Sequence, residues 1–124
     1  MVEANAPAGT RPQLLLIEDD EEVRRSFQLL LQGHGYEVRA FGSAASAIAG
    51  DPAQFDMMIC DYLLPDGDGL EVLRALRGAG WQGRAILMTG FPDAQLVARA
   101  RACGFATILE KPLRARDLVA ALSQ

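Results

Sequence analysis

The segment Leu14-Leu15-Leu16-Ile17-Glu18-Asp19-Asp20 indicates how this chain folds. Four consecutive apolar residues followed directly by acids are typical of a strand that is buried on both faces and ends at a polar edge. Asp20 is suited to cap a helix, and Glu21 and Glu22 would then lie in its first turn, where the helix dipole favours negative charge. Apolar residues recur at helical spacing from there to Gly33. The segment therefore predicts a β-strand joined directly to an α-helix.

The same alternation of strand and helix continues along the chain. Further strands are predicted at residues 36–41, 55–60, 85–88 and 107–109, and further helices at 43–50, 70–76, 92–104 and 113–122. Short apolar strands that alternate with amphipathic helices indicate a mainly parallel sheet, covered by helices on both faces. The crossovers between strands are expected to be right-handed. We therefore predict an α/β fold of five βα units.

Length and composition limit what the chain can do. Its 124 residues suffice for one domain, and with half of them hydrophobic and 23% charged the composition is globular. Residues 1–12 are rich in Ala, Pro and Gly, so we predict a flexible leader or linker there and the folded domain at 13–124. The net charge of −4 argues against direct binding to nucleic acid or to anionic membrane. Because we find no secretory signal and no apolar run of ~18 residues, we expect a cytoplasmic protein.

Polar residues follow four of the five predicted strands. Glu18 and Asp19 follow the first, Asp61 the third, Thr89 the fourth and Lys111 the fifth. They are expected to converge, because functional groups of open α/β sheets collect at the carboxyl ends of the strands. Three clustered carboxylates repel one another, and a hard cation such as Mg²⁺ relieves that repulsion. With Lys111 and Thr89 to bind phosphoryl oxygens, Asp61 becomes a nucleophile able to form an acyl phosphate.

Four segments resemble the signature segments of the receiver domain of response regulators, the CheY-like family. They are Leu14-Leu15-Leu16-Ile17-Glu18-Asp19-Asp20, Asp61-Tyr62-Leu63-Leu64-Pro65-Asp66-Gly67-Asp68-Gly69, Leu87-Met88-Thr89-Gly90 and Glu110-Lys111-Pro112. Their order and spacing are similar to the family's over residues 13–122. The resemblance implies a flavodoxin-like, doubly wound parallel sheet with strand order 2-1-3-4-5. It also implies a phosphorelay of a two-component system, in which a kinase phosphohistidine supplies the phosphoryl group.

The resemblance implies a metal site at the acids. Glu18, Asp19 and Asp61 match the family's ligands for Mg²⁺, for which Mn²⁺ is a substitute. The backbone carbonyl of Leu63 matches a further ligand. Asp61 itself matches the phosphoacceptor.

A switch that connects the site to an output surface is implied as well. Thr89 matches the hydroxyl that turns toward the phosphoryl group, Lys111 matches the lysine that pairs with that group, and the bond from Lys111 to Pro112 matches a cis peptide. The signal would leave through the surface of the fourth helix, fifth strand and fifth helix, to which we assign Phe105 and Ile108. Ile108 stands where the family usually has an aromatic residue, so an aliphatic side chain would have to repack there.

Two apolar residues are expected to flank the phosphoryl group. Leu63 and Phe91 occupy positions that, in the family, influence how water reaches the acyl phosphate. Neither side chain can position a water molecule, and Phe91 can shield the site. We therefore predict slow self-dephosphorylation.

Other functions fit only part of this pattern. A Mg²⁺-dependent phosphatase needs a general acid or base near its nucleophile, and Leu63 cannot serve; a nucleotide site needs a Gly-rich loop after the first strand, which is missing. A degenerate receiver would act as a phosphate-independent protein-binding module, although acceptor, acids and lysine are all present. We expect a signalling phosphoacceptor rather than an enzyme, one that assists its own Mg²⁺-dependent phosphorylation and dephosphorylation.

The expected partners follow from that role. A histidine kinase or a histidine phosphotransfer protein would donate the phosphoryl group to a monomer or weak dimer, and an unknown downstream protein would receive the signal. Met88-Thr89-Gly90-Phe91 and the Ala- and Arg-rich helix after it resemble the receivers of hybrid histidine kinases. The alternative is a stand-alone or longer response regulator.

Overall fold

The structure is a computed structural model that describes residues 11–123, so most of the leader predicted at 1–12 lies outside the described residues. In chain order the elements are β1 (Gln13–Ile17), α1 (Glu21–Gly33), β2 (Glu37–Phe41), α2 (Ala44–Ile48), a 3₁₀ turn (Pro52–Gln54), β3 (Met57–Asp61), β4 (Leu63–Leu64), β5 (Gly67–Asp68), α3 (Gly69–Gly78), β6 (Arg84–Thr89), α4 (Ala94–Cys103), β7 (Thr107–Glu110) and α5 (Ala115–Leu122). The five predicted strands and the five predicted helices are all present.

The main sheet has the strand order β2-β1-β3-β6-β7. All four pairings between neighbouring strands are parallel. Counted along the five strands of this sheet, the order is 2-1-3-4-5, as predicted. The order reverses between β1 and β3, and this switch point leaves a crevice at the carboxyl ends of the two strands.

Hydrophobic cores lie on both faces of the sheet, because successive residues of a strand point to opposite sides. In β1, Leu15 and Ile17 pack with residues of α2, α3 and α4. Leu14 and Leu16 pack on the opposite face with residues of α1 and α5. Burying one such side chain contributes roughly 1.5–3 kcal/mol. The continuous apolar run of β1 is therefore the consequence of helices on both sides, and the doubly wound prediction is confirmed.

Two short elements were not predicted. The 3₁₀ turn precedes β3, and the hairpin of β4 and β5 follows β3. Both are too short for hydrophobic periodicity to reveal. None of the helices among residues 11–123 combines the length and the apolar character that crossing a bilayer requires.

The N-terminal ends of α3 and α4 are set by aspartates. Asp68 and Glu71 form a capping box at α3, in which each side chain accepts a hydrogen bond from the other residue's backbone N–H at 2.9 Å. At α4 the carboxylate of Asp93 accepts from Leu96 N at 2.8 Å. This cap places the first helical residue after Asp93, so the helix begins later than the start predicted at Pro92.

Candidate functional site

Three carboxylates meet at the carboxyl ends of β1 and β3. Glu18 and Asp19 follow β1 directly, and Asp61 is the last residue of β3. Since the two strands pair in parallel as far as Ile17 and Cys60, the acids that follow lie side by side at one edge of the sheet. One carboxylate oxygen of each acid lies within 4.8 Å of the other two. Glu18 is 1% exposed and Asp61 6%, whereas Asp19 is open to solvent.

Lys111 lies between two of these acids. Its Nζ donates to Asp61 Oδ2 at 2.8 Å and lies 3.0 Å from Glu18 Oε1. Burial alone would lower the pKa of Lys111, but the contacts of its ammonium with the carboxylates of Asp61 and Glu18 outweigh burial and raise it. The pKa of Glu18 is raised chiefly because its carboxyl group is buried. Lys111 is therefore a charged group between the acids. The peptide bond between Lys111 and Pro112 is cis, as the resemblance implies.

Thr89 ends β6, the neighbour of β3 in the sheet, and is 5% exposed. Its Oγ1 accepts a hydrogen bond from the backbone N–H of Phe91 at 3.3 Å, which leaves the hydroxyl proton for another acceptor. Thr89 lines a groove of 340 Å³ together with Tyr62, Leu63 and Phe91. Leu63 is 69% exposed and Phe91 73%. The two predicted apolar flanks thus lie at the surface of the groove that contains the hydroxyl.

Arg24 holds the acidic loop in place from α1. Its Nη1 donates to the backbone carbonyl of Glu18 at 2.8 Å and reaches that of Asp19 at 3.5 Å. Gly42 leaves room for the guanidinium, because a Cβ there would lie 2.9 Å from Nη1. Sequence reasoning missed this contact, since an arginine in the second turn of a helix looks like any other surface base.

Asp66 ties the loop after Asp61 to the start of α2. Its two carboxylate oxygens accept hydrogen bonds from Ala44 N at 2.8 Å and from Ala45 N at 3.0 Å. These hydrogen bonds lower the pKa of Asp66, and the one from Ala45 N has the larger effect. The bond fixes the β4–β5 hairpin against α2, and therefore limits how far the loop can move from the acids. The sequence indicated only a turn at Asp66, because its partners lie 22 residues away.

The assignment of Phe105 to the output surface is wrong. Its side chain is 3% exposed and belongs to the core on the α4 face of the sheet. Gly104 ends α4 in the left-handed conformation, and Phe105 N donates to Ala100 O at 3.0 Å. This helix ending usually packs the residue after the glycine against the last turn. Ile108 is half-buried against the same core, so it can link that core to the surface.

Fold and site together define a class: doubly wound α/β domains with clustered acids and a lysine at the carboxyl ends of their parallel strands. The chain belongs to the family of response regulator receiver domains, whose sequence model matches residues 14–123. It is a signalling domain of two-component systems, and its phosphoacceptor role in them is supported by this match.

Named relatives are consistent with that family. The transcriptional regulatory protein FixJ of Azorhizobium caulinodans is 36% identical over 108 residues, which cover 86% of this chain and 51% of FixJ. The transcriptional regulator DctD of Rhizobium meliloti, which acts in C4-dicarboxylate transport, is 34% identical over 87% of this chain and 24% of its own length. The response regulator receiver protein CpdR of Brucella abortus is 33% identical over 110 residues, 86% of this chain and 90% of CpdR. The chain thus spans about half of FixJ and most of CpdR.

Solved structures share the fold. The chemotaxis protein CheY4 of Vibrio cholerae superposes with a TM-score of 0.87 at 25% identity and covers 92% of this chain and 98% of its own. A CheY-like receiver domain protein of Methanospirillum hungatei superposes with a TM-score of 0.86 at 24% identity and covers 92% of each chain.

Proposed function

We propose that Asp61 accepts a phosphoryl group from the phosphohistidine of a histidine kinase or a histidine phosphotransfer protein. The observation that carries this proposal is the cluster itself, with three carboxylates within 4.8 Å and the Lys111 ammonium 2.8 Å from Asp61. A carboxylate oxygen of Asp61 would attack phosphorus while the bond from phosphorus to the histidine nitrogen breaks. Positioning and charge do most of this work in phosphoryl transfer.

The donor set fits Mg²⁺, with Mn²⁺ as a substitute. All the available ligands are oxygens, which hard divalent cations prefer. Glu18 Oε1 is buried and accepts no hydrogen bond from a described residue, although Lys111 Nζ lies 3.0 Å away as an ion pair. Glu18, Asp19 and Asp61 would hold the ion together with the backbone carbonyl of Leu63. When bound, the ion would supply positive charge that offsets the negative charge of the transferring phosphoryl group.

Two side chains are poised to bind the phosphoryl oxygens. Lys111 carries three N–H donors. Two of them face the Asp61 and Glu18 oxygens, and the third is left for a phosphoryl oxygen. The Thr89 hydroxyl can donate, because its oxygen already accepts from Phe91 N. Movement of Thr89 would reach the surface of α4, β7 and α5 through Ile108, since all of β7 pairs with the second part of β6 and Lys111 N donates to Thr89 O at 2.7 Å.

An apolar groove beside the site suits the phosphoryl donor. It has a volume of 530 Å³, lies between α1 and the segment that follows β7, and is lined by Lys111, Pro112, Leu113, Val23 and Phe27. A helix of a histidine protein that packed there would bring its phosphohistidine close to Lys111. We expect this encounter to take place in the cytoplasm. The whole protein is predicted to be either a hybrid histidine kinase or a response regulator like those named above.

Phosphoryl uptake tests the proposed function. After incubation with acetyl phosphate and Mg²⁺, intact-mass spectrometry should show the gain of one phosphoryl group. Removal of divalent ions with a chelator should prevent the gain, because the carboxylates then repel the incoming anion. An adduct that forms equally without divalent ions would contradict the metal site. A folded chain that takes no phosphoryl group from acetyl phosphate or from a panel of histidine kinases would identify a phosphate-independent receiver.

The apolar flanks should set the lifetime of the acyl phosphate. The double variant Leu63→Asn, Phe91→Glu introduces groups that can orient water, so we expect loss of the phosphoryl group to accelerate by about tenfold or more. The decay is followed by intact mass after removal of acetyl phosphate. Leu29→Asn is the matched control, because Leu29 is 64% exposed but lies on α1 away from the groove. Equal lifetimes of the double variant and the wild type would exclude a role for Leu63 and Phe91.

A further inference from the structure

Three guanidinium groups line one pocket between α3 and α4. Arg74 and Arg77 come from α3 and Arg99 from α4, and the pocket of 460 Å³ is completed by Ala102 and Cys103. No carboxylate among residues 11–123 forms an ion pair with any of the three. The chain as a whole carries a net charge of −4, so this concentration of positive charge is local, although the exposed Asp93 lines the neighbouring groove with Arg99.

The three arginines are held differently. Arg77 is fixed, because Nη1 donates to the carbonyls of Trp81 and Gly83 at 3.1 and 2.9 Å and the guanidinium lies 5.0 Å from the centre of the Trp81 ring. Arg74 and Arg99 are exposed, and neither donates a hydrogen bond to a described residue. Like charges that face one pocket repel, and a ligand with negative charge removes that cost. Two free guanidiniums beside a fixed one therefore offer a binding surface for carboxylates.

The pocket continues into the groove beside Thr89. Arg99 lines both cavities, and the groove presents the exposed side chains of Leu63 and Phe91. Large exposed apolar side chains that lie together mark interaction sites on soluble proteins. We name this surface the α3–α4 strip; its residues are Leu63, Phe91, Arg99, Arg74 and Arg77. It is apolar at one end and basic at the other.

We propose that the α3–α4 strip binds an acidic segment of a partner protein, with an apolar residue against Leu63 and Phe91 and carboxylates against the arginines. A small phosphate ligand fits less well, because both Arg77 Nη atoms contact carbonyls and the other two guanidiniums are spread over an open surface. Nucleic acid fits less well because the net charge of −4 opposes a polyanion. The strip includes neither Asp61 nor Lys111, so we expect binding without a phosphoryl group on Asp61, even though Leu63 and Phe91 also flank the proposed phosphoryl site.

A labelled peptide tests this inference. The probe is a fluorescein-labelled peptide of one leucine followed by four glutamates, and its partner probe has glutamines in place of the glutamates. At low ionic strength, where surface charges are least screened, fluorescence anisotropy should show binding of the glutamate peptide at least about tenfold tighter than that of the glutamine peptide. Arg74→Gln, Arg99→Gln should weaken binding of the glutamate peptide by about tenfold or more.

The matched control removes two exposed arginines elsewhere. Arg39→Gln, Arg116→Gln has the same net charge as the strip variant, and both side chains are exposed on β2 and α5. An equal loss of binding in the two variants would overturn the assignment, because the attraction would then come from net charge alone. Equal binding of the two peptides would overturn it as well. If inorganic phosphate or single-stranded oligothymidylate bound more tightly than the glutamate peptide, and the strip variant lost that binding, the proposed acidic segment would be wrong and the strip would bind a different ligand.

Trp81 provides a second readout from inside the protein. It is the only tryptophan, it is 4% exposed, and Arg77 covers its ring. Binding at the strip should change its emission at the same peptide concentration that changes the anisotropy. Asp61→Asn should bind the peptide as the wild type does. Loss of peptide binding in that variant would overturn the independence from the phosphoacceptor site, whereas failure of phosphoryl uptake leaves the peptide result unaffected.

Discussion

Asp61→Asn should take up no phosphoryl group from acetyl phosphate in the presence of Mg²⁺. The amide has nearly the shape of the carboxylate but lacks its negative charge, so the nucleophile is lost while the site keeps its form. Glu18 cannot replace it, because its carboxyl group is 1% exposed and one of its oxygens accepts from Asp20 N at 3.1 Å. The variant also loses one of three clustered charges. We expect Mg²⁺ to raise the thermal midpoint of the wild type, and this rise should be smaller in the variant.

Intact mass and thermal unfolding, each with and without Mg²⁺, measure both effects on the same sample. Asp117→Asn is the matched control, since Asp117 is an exposed acid in the first turn of α5, away from the crevice. It should take up the phosphoryl group as the wild type does. An adduct on Asp61→Asn that maps to Glu18 or Asp19 would move the phosphoacceptor to another acid of the cluster and contradict the proposed role of Asp61.

The convergence of the site residues was predictable because it depends on strand ends. A buried strand has to be apolar along its length, so the first charged residue after the apolar run of β1 marks the edge of the sheet, and the same holds for Asp61 at the end of the apolar run of β3. Once five βα units are assigned, the carboxyl ends of all strands share that edge. The positions of Glu18, Asp61, Thr89 and Lys111 then follow without knowledge of a single tertiary contact.

Contacts that depend on side-chain reach were not predictable. Asp66 caps α2 from 22 residues away, and Arg24 reaches back to the acidic loop only because Gly42 leaves space. The basic pocket likewise joins Arg74 and Arg99, which are neither on one helix nor in one motif. Phe105 is a different case, because an apolar residue after a helix-ending glycine is a sequence signal for packing against the last turn. That signal favoured burial over the output surface.

Lys111→Met should slow phosphoryl uptake from acetyl phosphate by about 10²–10³-fold, the usual effect of removing one group that stabilises charge in a transition state. Methionine keeps the length of the side chain but leaves Asp61 and Glu18 without the ammonium that lies 2.8 and 3.0 Å away. Lys111→Arg should restore only part of the rate, because a planar guanidinium does not fit where a compact ammonium contacts two acids at once.

The initial rate of phosphoryl uptake at saturating Mg²⁺ separates this effect from a loss of folding. Lys111→Met should also lower the free energy of unfolding, since the buried carboxyl group of Glu18 loses its charged neighbour. Rates are therefore compared at a temperature where circular dichroism shows each variant folded. Arg114→Met removes one exposed positive charge at the start of α5, where its side chain makes no capping hydrogen bond, and should leave the rate unchanged. A Lys111→Met rate equal to that of Arg114→Met would show that the ammonium only balances the charge of the resting acids and takes no part in phosphoryl transfer.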